Sequence, residues 1–388
     1  MVKIKAFLVA VLLVAVTMVG LQGWYGLKVE DYYHVDDNSL RYDIHEAKFK
    51  SHDMLRSGLT SNSLLVMGSS ELSTTIKEGF HPRQVFNHED FSMMLVGSGT
   101  YQNIILATIL GSIGEHIPNN KVAMIQSMQW FHPKGISKEA FLARLSLDHV
   151  QHLLANPKIQ LETKKRLMQR LLELAEGNQI RYKLQTMQRI YIDQIAADWE
   201  KEWFEWKLSL DVFKNKLDFY RGNYLKPLPL AEGKTPDYDW AKQLAEQNAL
   251  AVDRTTNNDF QIDNKTYTEK YDGKIAKYKG KMTKDDYTQS PEYRDLELFI
   301  DIAKDLGVQL KMVIQPVMGK WYDYTGFSVE QRQAYYTKLK QILDERQVPY
   351  LDYSAHEYDD YYFYDAYHIG WGGWTELEKD LYEFYQAP

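Results

Sequence analysis

Residues 63–72, Ser-Leu-Leu-Val-Met-Gly-Ser-Ser-Glu-Leu, constrain the fold of this chain more than any other stretch. The run Leu64 to Met67 is aliphatic at every position rather than alternating, the pattern of a strand covered on both faces. Gly68 stops it, and Ser69, Ser70 and Glu71 open a polar, helix-starting turn. Two later stretches repeat the design. Ser92 to Val96 ends in Gly97-Ser98-Gly99-Thr100, and Lys121 to Trp130, with its core Val122 to Ile125, ends in Ser127-Met128-Gln129-Trp130. Strands of this kind separated by helical stretches predict a parallel sheet with right-handed crossovers, whose carboxyl edge is where ligands bind. The glycines after the second strand do not make a dinucleotide loop, because Gln102 stands where a third glycine is needed.

The rhythm is interrupted and then resumes. Apolar spacing predicts helices over 101–113, 137–154, 158–176 and 179–206. Pro227, Pro229, Gly233 and Pro236 mark a break, and 248–290 is polar and turn-rich. A helix over 292–306 stopped by Gly307, a strand over 308–315, a helix over 327–346, a strand over 349–353 and a closing helix over 374–385 complete the pattern. The expectation is one α/β domain, three layers around a mostly parallel sheet, split by a largely helical insertion at about 133–290. The insertion reads as a packing layer or lid, with a substrate channel as the alternative. Residues 27–62 read as an irregular stalk, and 74–90 as turn-rich.

The N-terminus sets the compartment. Lys3 and Lys5 precede an almost wholly apolar run, Ala6 to Leu21, which Gln22, Gly23 and the aromatic pair Trp24-Tyr25 extend. No small-x-small cleavage pattern follows, so residues 1–26 read as an uncleaved single-pass membrane anchor rather than a signal peptide. The basic head puts the N-terminus in the cytoplasm and 27–388 outside. The chain has no cysteine, which excludes a thiol nucleophile, thiolate metal sites and disulfides. A formal net charge of −7 argues against a nucleic-acid surface.

A serine at a strand end is inert without a base to take its proton. Asp365-Ala366-Tyr367-His368, after the last strand, supplies the residue types: Asp365 to fix Nδ1–H of His368, leaving Nε2 for the Ser70 proton. By itself an Asp-x-x-His is a weak signal among 11 histidines, and a capping aspartate with a surface histidine before a Gly370–Gly373 turn is the bland alternative. No Gly-x-Ser-x-Gly elbow is present, which disfavours the commoner α/β-hydrolase arrangement. Glu71 reads first as a charge at a helix N-terminus. Tyr358 to Tyr364, with Trp321, Tyr322 and Tyr324, reads as a solvated aromatic loop or a recognition rim. His149 and His152 read as solvated helix residues, and no metal is assigned.

Gly68-Ser69-Ser70, the glycine after the second strand, a polar side chain after the third and Asp-x-x-His near the C-terminus resemble the four blocks of SGNH (GDSL-type) hydrolases. More narrowly, the anchor, Gly68-Ser69-Ser70-Glu71-Leu72, Gly97-Ser98-Gly99, Gln129-Trp130-Phe131, residues 316–324 and Asp365-Ala366-Tyr367-His368 resemble the DltD family of teichoic-acid D-alanyl transfer proteins. The resemblance implies Ser70 as nucleophile, His368 as base and Asp365 as its orienter. It implies an oxyanion site from the Ser70 and Gly99 amides, with Gly97 and Gln129 beside it, and allows Glu71 a contact with the amine of D-alanine. Two positions depart from the wider SGNH pattern: Ser69 replaces an aspartate and Gln129 an asparagine, though a glutamine amide can donate the same hydrogen bond. The implied activity is D-alanylation of lipoteichoic acid outside the membrane. The D-alanyl group would come through the DltA, DltC and DltB system, DltB being the membrane acyltransferase, with no cofactor. Two alternatives stay open: an esterase or thioesterase releasing the acyl group to water, and a non-catalytic scaffold.

Overall fold

The computed structural model describes residues 2–33, 39–86, 91–225 and 238–388. Five strands form one sheet: β1 (Ser63–Met67), β2 (Ser92–Val96), β3 (Lys121–Gln126), β4 (Gln309–Ile314) and β5 (Tyr350–Asp352). The order is β2-β1-β3-β4-β5 and every pairing is parallel. All residues of β1, β2 and β3 are buried, as their unbroken aliphatic runs require when helices cover both faces. The helices Asn103–Ile113 and Glu292–Leu306 pack together, and the closing helix Trp371–Gln386 packs against Trp240–Arg254. Gly307 stops the second of these helices in the left-handed region, at φ 72°.

The strand order matters most around β1. β2 and β3 flank it, so the loops after all three strands emerge side by side at the carboxyl edge. Gly97 holds two of them together. Its φ is +130°, and a Cβ there would lie 1.9 Å from the Gly68 carbonyl oxygen, so only glycine fits. The Gly68 amide in turn donates to Val96 O at 3.0 Å.

The sequence-based helix boundaries need adjustment. Residues 137–154 divide into Lys138–Arg144 and Leu147–Ala155 because Ser146 turns the chain and caps the second helix. Residues 179–206 divide likewise: Ile180–Met187 runs into a π-helical turn at Gln188–Ile192, and a separate helix occupies Asp198–Leu225. The helix Trp240–Arg254 reaches into the stretch expected to be turns, and the closing helix includes Gly372 and Gly373 rather than following a turn. The break at Pro227 to Pro236 and His88-Glu89-Asp90 lie outside the described residues. Between β3 and β4 the chain is otherwise largely helical, as expected.

Residues 39–57 are not a stalk. Leu40, Tyr42, Phe49, Met54 and Leu55 are buried. The Tyr42 hydroxyl donates to Phe86 O and accepts from Met93 N in β2, and Lys48 Nζ donates to Leu95 O. The segment covers β2, which is an edge strand and needs covering. Its short helices, Ser39–Tyr42 and His52–Ser57, are too brief to leave a periodic pattern. At the N-terminus, the helix Val2–Tyr33 contains a segment, Lys3–Trp24, long and apolar enough to cross a membrane, with none of it buried against the rest of the protein. An anchor and a signal sequence are both compatible with it.

Candidate active site

Ser70 sits on the turn that leaves β1, with φ −66° and ψ −21°, immediately before the one-turn helix Glu71–Thr74. Its neighbours fix that turn from both sides. The Ser69 hydroxyl donates to Ser98 O at 3.1 Å on the β2 loop, and the Ser69 amide donates to Glu71 Oε1 at 2.5 Å. Glu71 is only 2% exposed. Its carboxylate therefore faces inward and locks the turn at the start of the helix. Burial raises its pKa, against the lowering effect of the Ser69 amide and of His368.

His368 arrives from the other end of the chain on a closed turn. An antiparallel bridge between Phe363 and Ile369 forms its base, and Tyr364 N donates to His368 O at 2.9 Å. Within the turn Asp365 Oδ1 accepts from the amides of Tyr367 (2.9 Å) and His368 (3.0 Å) and lies 2.8 Å from His368 Nδ1. Gln315, just past β4, donates to Tyr367 O at 3.2 Å and ties the turn to the sheet edge. His368 Nε2 is then 2.9 Å from Ser70 Oγ, across 298 positions of sequence.

The electrostatics assign the protons. Asp365 is 1% exposed, and burial alone would raise its pKa. The His368 ring, Lys270 and the two amides outweigh burial and hold it well below the carboxylate range, so it is ionised and accepts only. Nδ1 of His368 must then carry the proton donated to Asp365, leaving Nε2 to accept from Ser70. Burial opposes charge on His368, but the Asp365 carboxylate against Nδ1 wins and raises its pKa. The arrangement stabilises an imidazolium once a proton arrives.

Gly99 and Gln129 follow β2 and β3, the two strands flanking β1, and so share the edge with Ser70. Among the described residues, no protein group accepts a hydrogen bond from the Ser70 or Gly99 amide, and the half-buried Gln129 side chain has no protein partner. A Cβ at Gly99 would meet nothing within 4 Å. These are donors left available for a ligand oxygen. Sequence reasoning missed Lys270, whose Nζ lies 3.2 Å from Asp365 Oδ2. It belongs to the insertion helix Asn264–Lys270, in a polar stretch of the sequence where no pattern singles out one lysine.

A family profile described as DltD protein matches residues 41–386. The chain belongs to the DltD family. It is 33% identical to Protein DltD of Bacillus subtilis (strain 168) over 341 residues, covering 84% of this chain and 82% of that protein. Protein DltD of Lacticaseibacillus rhamnosus is 28% identical, covering 86% and 80% of the two chains, and Protein DltD of Staphylococcus aureus (strain NCTC 8325 / PS 47) is 26% identical, covering 81% and 79%. The DltD match takes in every strand and all of Ser70, Glu71, Gly97, Gly99, Gln129, Asp365 and His368.

The remaining expected groups fall elsewhere. Trp321 and Tyr322 are core residues, 0% and 2% exposed, rather than a rim. The Tyr358 hydroxyl donates to Asp323 Oδ2 and accepts from the buried Arg332, an arrangement that secures the loop entering the site. His149 is fully buried and His152 half-exposed, so the first of this pair is not a solvated helix residue. Among the described residues no group of histidine and acidic side chains is arranged to hold a metal ion.

Proposed function

We propose that this DltD-family protein transfers D-alanyl groups to lipoteichoic acid at the outer face of the membrane, through an acyl-serine at Ser70. The observation that carries the reading is the unbroken Asp365–His368–Ser70 relay at the carboxyl edge of the sheet. Ser70 Oγ bonds to the D-alanyl carbonyl carbon as its proton passes to His368 Nε2. Asp365 stabilises the imidazolium that results. The proton then goes to the departing donor oxygen or sulfur as its bond to carbon breaks. In the second half a polymer hydroxyl gives its proton to Nε2 and attacks the acyl-serine, and Ser70 leaves with that proton. The Ser70 and Gly99 amides and the Gln129 side chain supply donors for the negative oxygen formed in each half, the interaction that usually contributes most to acyl transfer. Residues 1–26 hold the catalytic domain at the surface where the polymer is made, with DltB as the membrane partner supplying the acyl group.

The test is the D-alanine ester content of lipoteichoic acid in cells whose only copy carries Ser70→Ala, with the amount of protein in the membrane fraction measured alongside. The expected result is ester at the level of cells lacking the protein while the variant remains in the membrane. Wild-type ester content would overturn the acyl-serine reading and leave a scaffold.

A further inference from the structure

The insertion helix Asp198–Leu225 carries more exposed tryptophan than its packing explains. Trp199, Trp203 and Trp206 are 68%, 50% and 52% exposed, and Leu210 is 38% exposed. Their spacing of four, three and four residues puts them on one helical face. The face that packs inward is a different one, which buries Leu208 and Phe219. Trp203 and Trp206 stack with ring centroids 4.9 Å apart, and Lys207 Nζ stands 4.7 Å over the Trp203 ring. A tryptophan presents about 150–250 Å², so three half-exposed rings make a continuous apolar patch of the size that marks a contact surface.

What covers the patch follows from where the helix lies. Asp198–Leu225 comes close to the helix Val2–Tyr33. Gln22, two residues from the end of the apolar segment at Trp24, lines a common recess with Leu208, Val212, Phe213 and Lys216. The middle of the insertion helix therefore stands at the end of the span that meets the folded domain. Trp199 is nine residues from Leu208, about 14 Å at 1.5 Å per residue. Tryptophan is the side chain suited to this depth, its ring apolar and its N–H wet, and lysine can lay its stem along the rings while keeping its charge in water.

We propose that the tryptophan face of Asp198–Leu225 lies in the headgroup layer of the bilayer that holds the span, making the insertion a second, interfacial membrane contact. The occupant is lipid rather than protein. The acidic and basic side chains along the groove beside the patch pair with one another, Arg189 with Glu200 and Lys183 with Asp211, so what remains unmatched is the apolar surface. Such a contact fixes the tilt of the domain and hence the height of the Ser70 edge above the membrane. The proposal rests on the span being a retained anchor.

The chain contains no cysteine, so single cysteines can be placed without further changes. Trp203→Cys, Trp206→Cys and Leu210→Cys, each carrying a nitroxide, are measured in the full chain reconstituted into phosphatidylglycerol–phosphatidylcholine vesicles that hold no other protein. Asp344→Cys, exposed on the helix Val329–Glu345, is the aqueous reference. The expected result is several-fold lower accessibility to a water-soluble nickel chelate, and higher accessibility to oxygen, at all three positions than at 344. Equal chelate accessibility at the four positions, in protein that resists alkaline carbonate extraction, overturns the lipid contact while leaving the anchor intact. Protection that appears only after a second membrane protein is added overturns the assignment to lipid. Release by carbonate overturns the anchor reading and this proposal with it.

Discussion

The Ser70–His368–Asp365 relay at the sheet edge and the Ser112–His149–His52 cluster in the helical layer use the same side-chain types and reach opposite electrostatic states. In the cluster, Ser112 Oγ lies 2.8 Å from His52 Nδ1 and 3.0 Å from His149 Nδ1, and His149 Nε2 faces the Phe49 carbonyl at 3.0 Å. The neighbouring carboxylate, Asp148, accepts from the backbone amide of His52 at 2.7 Å instead of facing either of these rings. Burial, then the neighbouring histidines, push both His52 and His149 down to about 3. At the sheet edge the carboxylate faces ring nitrogen, and His368 moves up. Composition does not distinguish the two groups; a carboxylate against the ring nitrogen of His368, and none against His52 or His149, does.

The largest test of this contrast exchanges the roles of two histidines. His368→Ala is expected to lower transfer by about 10⁴-fold, since removing a member of such a triad removes the proton path. His149→Ala is expected to leave transfer per folded molecule unchanged while costing about 3 kcal/mol of stability, because Ser112 and the Phe49 carbonyl lose a buried partner. Acyl transfer and thermal unfolding are measured on both proteins. A His149→Ala protein that melts normally but transfers nothing would break the comparison.

Stability against pH should separate the regions by sign. His52 and His149 have folded pKa values below the unfolded value near 6.5, so the unfolded chain binds more protons between about 3 and 6.5. Their contribution is complete above 6.5 and is lost as pH falls through that window. His368 has a raised folded pKa, so its contribution is complete below 6.5 and is lost as pH rises through the folded value. Unfolding midpoints between pH 4 and pH 9 are expected to show a shallower acid-side fall in His149→Ala and a shallower alkaline-side fall in His368→Ala.

The smallest effect belongs to Lys270. Its charge lowers the pKa of His368, and at half exposure solvent screens much of that influence. In Lys270→Ala the rise of transfer rate with pH, which follows loss of the proton from His368, should move to more alkaline pH, with the plateau rate nearly retained. A profile that stays in place while the plateau falls would instead make Lys270 a contributor to substrate handling.

Much of this site is legible in the sequence. Leu64 to Met67, Met93 to Val96 and Val122 to Ile125 announce strands because unbroken aliphatic runs are stable only when covered on both faces. Gly68, Gly97 and Gly307 mark where those elements must stop or turn. Ser70, Asp365 and His368 stand out by residue type and by position after strands, since the carboxyl edge of a parallel sheet gathers its loops. Residues 39–57 carry no legible pattern because burial against an edge strand leaves no period in short helices. Lys270 was invisible because nothing local to Asn264–Lys270 refers to Asp365.

The sequence alone therefore determined which segments are strands, where their polar ends fall and which side chains are candidates for a Ser-His-Asp relay. Those properties follow from local composition and chain stereochemistry. Only the tertiary structure decided that β1 lies between β2 and β3, that His368 of all the histidines meets Ser70, and that Asp365 meets the His368 ring while Asp148 meets neither the His52 nor the His149 ring. These are contacts between residues separated by up to hundreds of positions, closed by the packing of the whole sheet, and no local pattern encodes them.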